Sequence, residues 1–161
     1  MIKFKYIWGG VILNKTRVIF LCTGNSARSQ MAEAFLREYG GSAFEANSAG
    51  LTPAPIHPLT YHVMHEVGIN LEAEQHRSKD LVAEFFDAQV HVGYLVTVCS
   101  KAERECPIYP WAGVRLDWSI DDPVAYGGTP EQRLAKFRET RELVRAHVQD
   151  LVARALRSHL L

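Results

Sequence analysis

Short apolar runs alternate with stretches of helical periodicity along most of the chain. Arg17-Val-Ile-Phe-Leu21 is a brief β-branched run, the pattern of a strand buried on both faces. After it, Met31, Ala34, Phe35 and Tyr39 fall on one side of a helix that ends at Gly40-Gly41. A second short strand is expected from Phe44 to Asn47. A loop with Pro53, Pro55 and Pro58 follows, then a helix carrying Leu59, Val63 and Val67 up to Gly68. Tyr94-Leu-Val-Thr-Val98 and the stretch from Val114 to Trp118 read as further strands. In the last thirty or so residues Leu134, Phe137, Val144, Val148 and Leu151 recur on one helical face. Thr129-Pro130-Glu131-Gln132 opens that helix with a Thr N-cap, Pro at the first position and Gln at the third, a capping box.

Strands separated by helices need crossover connections, so the chain reads as an α/β fold with a parallel sheet and its ligands at the carboxyl ends of the strands. Cys22 and Cys99 each stand just after an expected strand, at that same edge. With 161 residues, 47% hydrophobic and 22% charged, the chain fits one domain with one core. Its 18 basic and 18 acidic residues balance, which argues against nucleic acid as a partner. The early apolar run from Tyr6 to Leu13 is broken by Gly9 and Gly10 and is far shorter than the roughly 20 residues of a membrane span. Asn14 to Arg17 after it offer no small-residue cleavage site, so neither a span nor a signal peptide is read. Residues 1–15 are taken as an N-terminal extension that need not be ordered, and residues 16–161 as the domain. A cytoplasmic location and a monomer are expected.

The chemistry concentrates in Cys22-Thr-Gly-Asn-Ser-Ala-Arg28-Ser29, between a buried strand and a helix start. The backbone N–H groups of Thr23, Gly24, Asn25, Ser26 and Ala27 can curl into a nest around a tetrahedral anion. Gly24 and Asn25 are the residue types that most easily take the left-handed backbone such a loop requires. Arg28 adds a planar, always-charged fork for two oxygens. Its field would lower the pKa of Cys22 and make it a thiolate at neutral pH, and Ser29 could donate to that sulfur. The loop lacks the terminal Gly-Lys-Ser/Thr of nucleotide P-loops, so ATP is not implied. A carboxylic acid that protonates a departing oxygen is sought in Asp121-Asp122-Pro123.

Cys99 follows a strand, and Ser100-Lys-Ala-Glu103 reads as a second capping box. Were residues 99 to 106 helical, the Cα atoms of Cys99 and Cys106 would lie roughly 10 Å apart. A disulfide needs about 7 Å or less, so the pair bonds only if the segment unwinds, a candidate redox switch. A zinc site would want four closely spaced ligands, and none are seen. Among the histidines, His57, His62 and His65 lie on or near one expected helix and are assigned surface or packing roles.

The run Val18-Ile-Phe-Leu-Cys-Thr-Gly-Asn-Ser-Ala-Arg-Ser-Gln-Met-Ala-Glu33, with Asn47-Ser-Ala-Gly50, Val96-Thr-Val-Cys-Ser100, Cys106-Pro107 and Asp121-Asp-Pro123, closely resembles thioredoxin-coupled arsenate reductases over about residues 17 to 157. These share the fold of low-molecular-weight protein tyrosine phosphatases, which implies a single-domain four-stranded parallel sheet flanked by helices. The resemblance further implies a relay in arsenical resistance. Cys22 attacks arsenate held by the loop and Arg28, with phosphate or sulfate as mimics, while Asp122 protonates the leaving oxygen. Cys99 then attacks the Cys22 sulfur and arsenite leaves. Cys106 next attacks Cys99, and the Cys99–Cys106 bond is exposed for reduction by thioredoxin, with no tightly bound cofactor.

Many relatives carry a second loop cysteine where this chain has Ala27. Some bind potassium through an Asn, a Glu, a Ser and an Asp. Asn25, Glu33 and Ser48 match the first three, but the fourth position is Lys79, whose ammonium would stand in the ion's place; no metal is expected. The rival reading is a phosphatase that hydrolyses phosphotyrosine or aryl phosphates through a Cys22 phosphocysteine. Against it, Val124-Ala125-Tyr126 lacks the adjacent aromatic pair those enzymes use, and Cys99 and Cys106 would go unexplained. A non-enzymatic phosphate-binding module, and recycling by glutaredoxin or another small thiol, are further alternatives that the thiol pair disfavours.

Overall fold

The computed structural model describes residues 6–8 and 11–158. Tyr6–Trp8 (β1) pairs antiparallel with Val11–Leu13 (β2), Trp8 opposite Val11. That ribbon lies within the extension read over residues 1–15, of which residues 1–5, 9 and 10 fall outside the described residues.

The main sheet is built from β3 (Thr16–Cys22), β4 (Phe44–Gly50), β5 (Val92–Thr97) and β6 (Ala112–Asp117), all parallel, in the order β4-β3-β5-β6. The expected strand at Phe44 extends three residues beyond Asn47, because β4 keeps pace with β3 down to Cys22 opposite Gly50. Val18 to Leu21 are wholly buried, which a central parallel strand covered on both faces requires. Full burial of each such side chain stabilises by roughly 1.5–3 kcal/mol relative to exposure. The chain leaves β3 for β4 on one side and later returns to β5 on the other, so the carboxyl end of β3 is the point where strand order reverses. Open α/β sheets bind ligands at such a point.

Helix α1 (Arg28–Gly40) follows β3, α2 (Pro58–His65) follows the proline loop, α3 (Ser100–Glu105) follows β5, and α4 (Pro130–Ser158) closes the chain. α1 packs on β3 and β4 and against α4; α4 also covers α2, and α3 rests on β3 and β5. The one-sided pattern expected for α1 does not hold: all of Arg28 to Leu36 is buried, since sheet and α4 enclose that end of the helix. Tyr39 is partly exposed and stacks on Phe35. The helix ends at Gly41, whose φ of 53° suits glycine. The capping box of α4 is present in both directions, Gln132 N–H to Thr129 Oγ1 at 3.2 Å and Thr129 N–H to Gln132 Oε1 at 3.0 Å. Among the described residues no helix is long and apolar enough to cross a membrane.

Candidate active site

Cys22 is the last residue of β3 and Arg28 the first of α1, so the five residues between them form the turn from strand to helix. The carbonyls of this turn are held from outside. Those of Cys22, Thr23, Gly24 and Ser26 accept from the amides of Leu51, Thr52, Ala54 and His57, and Thr60 Oγ1 also donates to Ser26. Gln30 Nε2 donates to the Asn25 carbonyl at 3.0 Å, and Met31 N–H to that of Ala27. With the carbonyls drawn outward, the loop's N–H groups turn toward the concave side, at a helix N-terminus with no side-chain cap of its own. Gly50 lets the strap pass this close: a Cβ there would sit 2.8 Å from the Thr23 carbonyl oxygen. Of the two residues expected to be left-handed, only Asn25 is, at φ 51°; Gly24 is not. The nest encloses a cavity of about 230 Å³ lined by Cys22, Thr23, Gly24, Ser26, Ala27 and Arg28, with Asp122 and Val124 as its rim.

The Cys22 sulfur lies 2.9 Å from Ser29 Oγ and accepts the Asn25 N–H at 3.0 Å. Asn25 Nδ2 donates to Ser29 Oγ at 2.8 Å, which orients the Ser29 hydrogen toward the sulfur. Arg28 Nη1 donates to the Ile120 carbonyl at 2.7 Å, Nη2 stands 3.4 Å from Asp122 Oδ1, and the buried Nε has no partner among the described residues. The thiolate expected of Cys22 is corrected by this geometry. Burial pushes its pKa up from the ordinary 9.0, and the lowering by Ser29, Arg28 and the Asn25 N–H does not offset it, while nearby Cys99 adds to the rise. A neutral thiol suits a desolvated nest awaiting an oxyanion, because thiolate and anion would repel there. Alkylation of Cys22 by iodoacetamide in a Cys99→Ser/Cys106→Ser background is therefore expected to climb with pH toward a midpoint above 9.0. A midpoint below neutrality would show that the loop's donors outweigh burial.

A polar cluster backs the loop. Asn25 Oδ1 accepts the Lys79 N–H at 2.8 Å, and Gln30 Oε1 meets His76 Nδ1 at 3.2 Å. Buried Glu33 is met by Ser48 Oγ, Arg37 and the Lys79 ammonium, the last at 3.2 Å, and Lys79 Nζ also donates to the Arg77 carbonyl at 2.9 Å. A potassium ion does not fit beside Asn25, Glu33 and Ser48, because the Lys79 ammonium already supplies the compensating charge. Losing it would leave a buried carboxylate short of a partner, a change that typically costs about 3–5 kcal/mol. Gln30, His76 and the strap at residues 51–60 were not singled out from sequence. Gln30 reaches Asn25 across 5 positions, but Thr60 meets Ser26 across 34 and His76 meets Gln30 across 46, separations at which no local pattern operates.

The remaining expected residues flank the cavity. Val98 N–H donates to the Leu21 carbonyl, which carries the β3–β5 register past the strand ends, and Thr23 Oγ1 lies 3.7 Å from Cys99 Sγ. Cys99 and Cys22 thus stand on adjacent strand ends. The second capping box is displaced by one residue. The N-cap is Cys99 itself, its sulfur accepting from Ala102 N–H at 3.3 Å, and Glu103 turns instead to Thr97 and Arg115. Cys106 caps the other end of α3, half-buried, with its pKa raised by burial. The helix between the two thiols is formed. Asp122 faces the cavity and accepts the Val124 N–H, whereas Asp121 points outward toward Lys136. His57 caps α2 through Nδ1 and stacks on Phe137, and His62 pairs with Glu66.

Residues 17–159 match the model of a family described as low molecular weight phosphotyrosine protein phosphatase. An arsenate reductase of Shouchella clausii is 35% identical over 137 residues, covering 85% of this chain and 95% of that protein. A solved arsenate reductase in its phosphate-binding state superposes with a TM-score of 0.70 at 28% identity, covering 86% of this chain and 98% of the other. The thioredoxin-dependent arsenate reductase of Corynebacterium glutamicum gives 0.59 at 29% identity, covering 88% and 65%.

Proposed function

Because the chain belongs to the low molecular weight phosphotyrosine protein phosphatase family, and the match spans 95% of the S. clausii arsenate reductase, we propose that it reduces arsenate to arsenite in the cytoplasm through Cys22, Cys99 and Cys106. The observation that carries this reading is the placement of a second thiol, Cys99, on the strand end beside Cys22, with Cys106 one short helix away. Hydrolysis needs neither.

Arsenate enters the nest, its oxygens taking the N–H groups of Thr23 to Ala27 and the Arg28 fork, whose Nε is free to turn to it. Cys22 passes its proton to an arsenate oxygen and attacks arsenic. Asp122, at the rim, protonates the departing oxygen, which leaves as water. Cys99 then attacks the Cys22 sulfur, the S–As bond breaks with its electron pair on arsenic, and arsenite leaves behind a Cys22–Cys99 disulfide. Cys106 attacks Cys99 and frees Cys22. The Cys99–Cys106 disulfide is reduced by thioredoxin, the reductant named for the C. glutamicum neighbour. Ile108, 86% exposed two residues after Cys106, leaves an apolar surface beside that sulfur.

The test is arsenate-dependent NADPH oxidation with thioredoxin and thioredoxin reductase. Multiple turnover is expected. Absence of NADPH oxidation, together with Cys22-dependent hydrolysis of an aryl phosphate, would make the protein a phosphatase instead.

A further inference from the structure

Two steps of the relay ask opposite things of α3. Wound, the helix takes Cys99 as its N-cap, the sulfur accepting the Ala102 N–H at 3.3 Å, and holds it on the strand end beside Cys22. The same wound helix keeps Cys106 at its far end, so the second disulfide waits for α3 to open. Local opening of this kind is an equilibrium that side-chain contacts bias.

One carboxylate fastens α3 to the sheet. Glu103 Oε2 accepts from Thr97 Oγ1 on β5 at 2.7 Å and from Arg115 Nε and Nη2 on β6 at 3.3 and 3.2 Å, and Arg115 Nη2 also donates to the Glu103 carbonyl at 3.2 Å. Helix and two strands are thus tied at a single side chain. The tie is also built to release. Thr97 is wholly buried and its hydroxyl carries one hydrogen, yet two further acceptors stand at 3.3 Å, the Leu116 carbonyl and Asp117 Oδ1. When Glu103 leaves, that hydrogen turns to one of them and no buried donor is stranded. The Glu103 and Arg115 side chains are 35% and 33% exposed, so water receives both charges.

We propose that Glu103 is a latch on the second thiol exchange: held by Thr97 and Arg115 it keeps α3 wound while Cys99 attacks Cys22, and its release admits Cys106 to Cys99. This rests on the relay proposed above. Glu103 touches no reacting atom and is a positioning residue. In the exchange it controls, Cys106 gives up its proton and attacks the Cys99 sulfur of the Cys22–Cys99 disulfide. The Cys99–Cys106 bond forms, the Cys22–Cys99 bond breaks, and Cys22 departs with the electron pair and takes up a proton. One disulfide replaces another, so no outside oxidant or reductant enters.

Weakening a latch speeds one step, whereas damage to the fold slows both. Losing a hydrogen bond to an ionised group at a site about a third open to water shifts such an equilibrium roughly fivefold. The experiment adds arsenate to reduced enzyme without thioredoxin, quenches with iodoacetamide over time, and follows both disulfides by mass spectrometry. In Glu103→Gln, Thr97→Val and Arg115→Met the Cys22–Cys99 disulfide is expected to form no faster than in wild type. Its conversion to Cys99–Cys106 is expected to accelerate in all three, roughly fivefold in Thr97→Val. That variant leaves the Glu103 charge in the first turn of α3, so its acceleration separates the latch from a loss of favourable charge at the helix start. Conversion at the wild-type rate or slower in Glu103→Gln, or an acceleration there that either of the other two lacks, overturns the proposal.

Should wild-type enzyme form no Cys22–Cys99 disulfide, the arsenate reading fails, and the latch is still decided by iodoacetamide alkylation of the buried Cys99 in a Cys22→Ser/Cys106→Ser background. There Thr97→Val, which changes no charge, is expected to raise the alkylation rate roughly fivefold by opening α3 more often. An unchanged rate overturns the proposal.

Discussion

Cys22→Ser is expected to lower arsenate-dependent NADPH oxidation at least ~10⁴-fold, as removal of a nucleophile from a set of residues acting as a unit does. The substitution changes one buried atom and keeps its hydrogen-bonding geometry, with Ser29 Oγ and the Asn25 N–H around it, so folding should survive. Two chemical capacities are lost. A serine hydroxyl remains protonated where even a thiol of raised pKa ionises in part, and an alkoxide–arsenate adduct offers Cys99 no sulfur with which to form a disulfide. Titration of free thiols before and after arsenate separates the causes. Wild type is expected to lose two thiols per chain in the absence of thioredoxin, and the variant none. Residual NADPH oxidation above about a hundredth of wild type would mean that another group opens the reaction. Ser29→Ala is the milder companion. It removes the largest of the contacts that oppose burial at the sulfur, so arsenate-dependent NADPH oxidation is expected to fall, by much less than in Cys22→Ser.

Much of this site can be read locally because its parts lie close in sequence. A β-branched run, a Gly-Asn turn and an arginine at the head of a helix define the nest within a dozen residues, and Thr129 to Gln132 announce α4 because the two cap partners lie three positions apart. Legibility ends where partners are distant or burial decides. The donors around Cys22 can be listed from sequence, and each favours a thiolate; how deeply the fold buries the sulfur cannot be listed, and burial reverses the sign. The box at Ser100 slips by one residue because a thiol can accept an amide hydrogen bond as a serine would. That frees Glu103 for Thr97 and Arg115, contacts made across two strands. Lys79 beside Glu33 is a case between these. Its identity argues for an internal cation, but only the fold brings its ammonium to that carboxylate and its own N–H to Asn25, behind the nucleophile.

The relay's sharpest consequence lies in Cys106→Ser, which is expected to yield one arsenite per chain and then stop. Cys22 and Cys99 are both buried, at 2% and 4% exposure, so a disulfide between them is sealed from any protein reductant. Cys106, half-buried at the end of α3, can carry the bond outward. With α3 wound, seven residue steps hold the Cα atoms of Cys99 and Cys106 roughly 10 Å apart, beyond the limit of about 7 Å for a disulfide. In the proposed relay, formation of that bond would therefore require the helix to unwind, which would present it to thioredoxin. Without Cys106 the oxidising equivalents remain in the nest, and rapid-quench measurement should find stoichiometric arsenite in the first turnover, a steady state below about one hundredth of wild type, and Cys22–Cys99 as the accumulated species. A small thiol such as dithiothreitol should restore slow turnover, because it can reach where a protein cannot. Sustained thioredoxin-driven turnover in Cys106→Ser would instead place the exit for electrons at Cys99, and α3 would then have no reason to open.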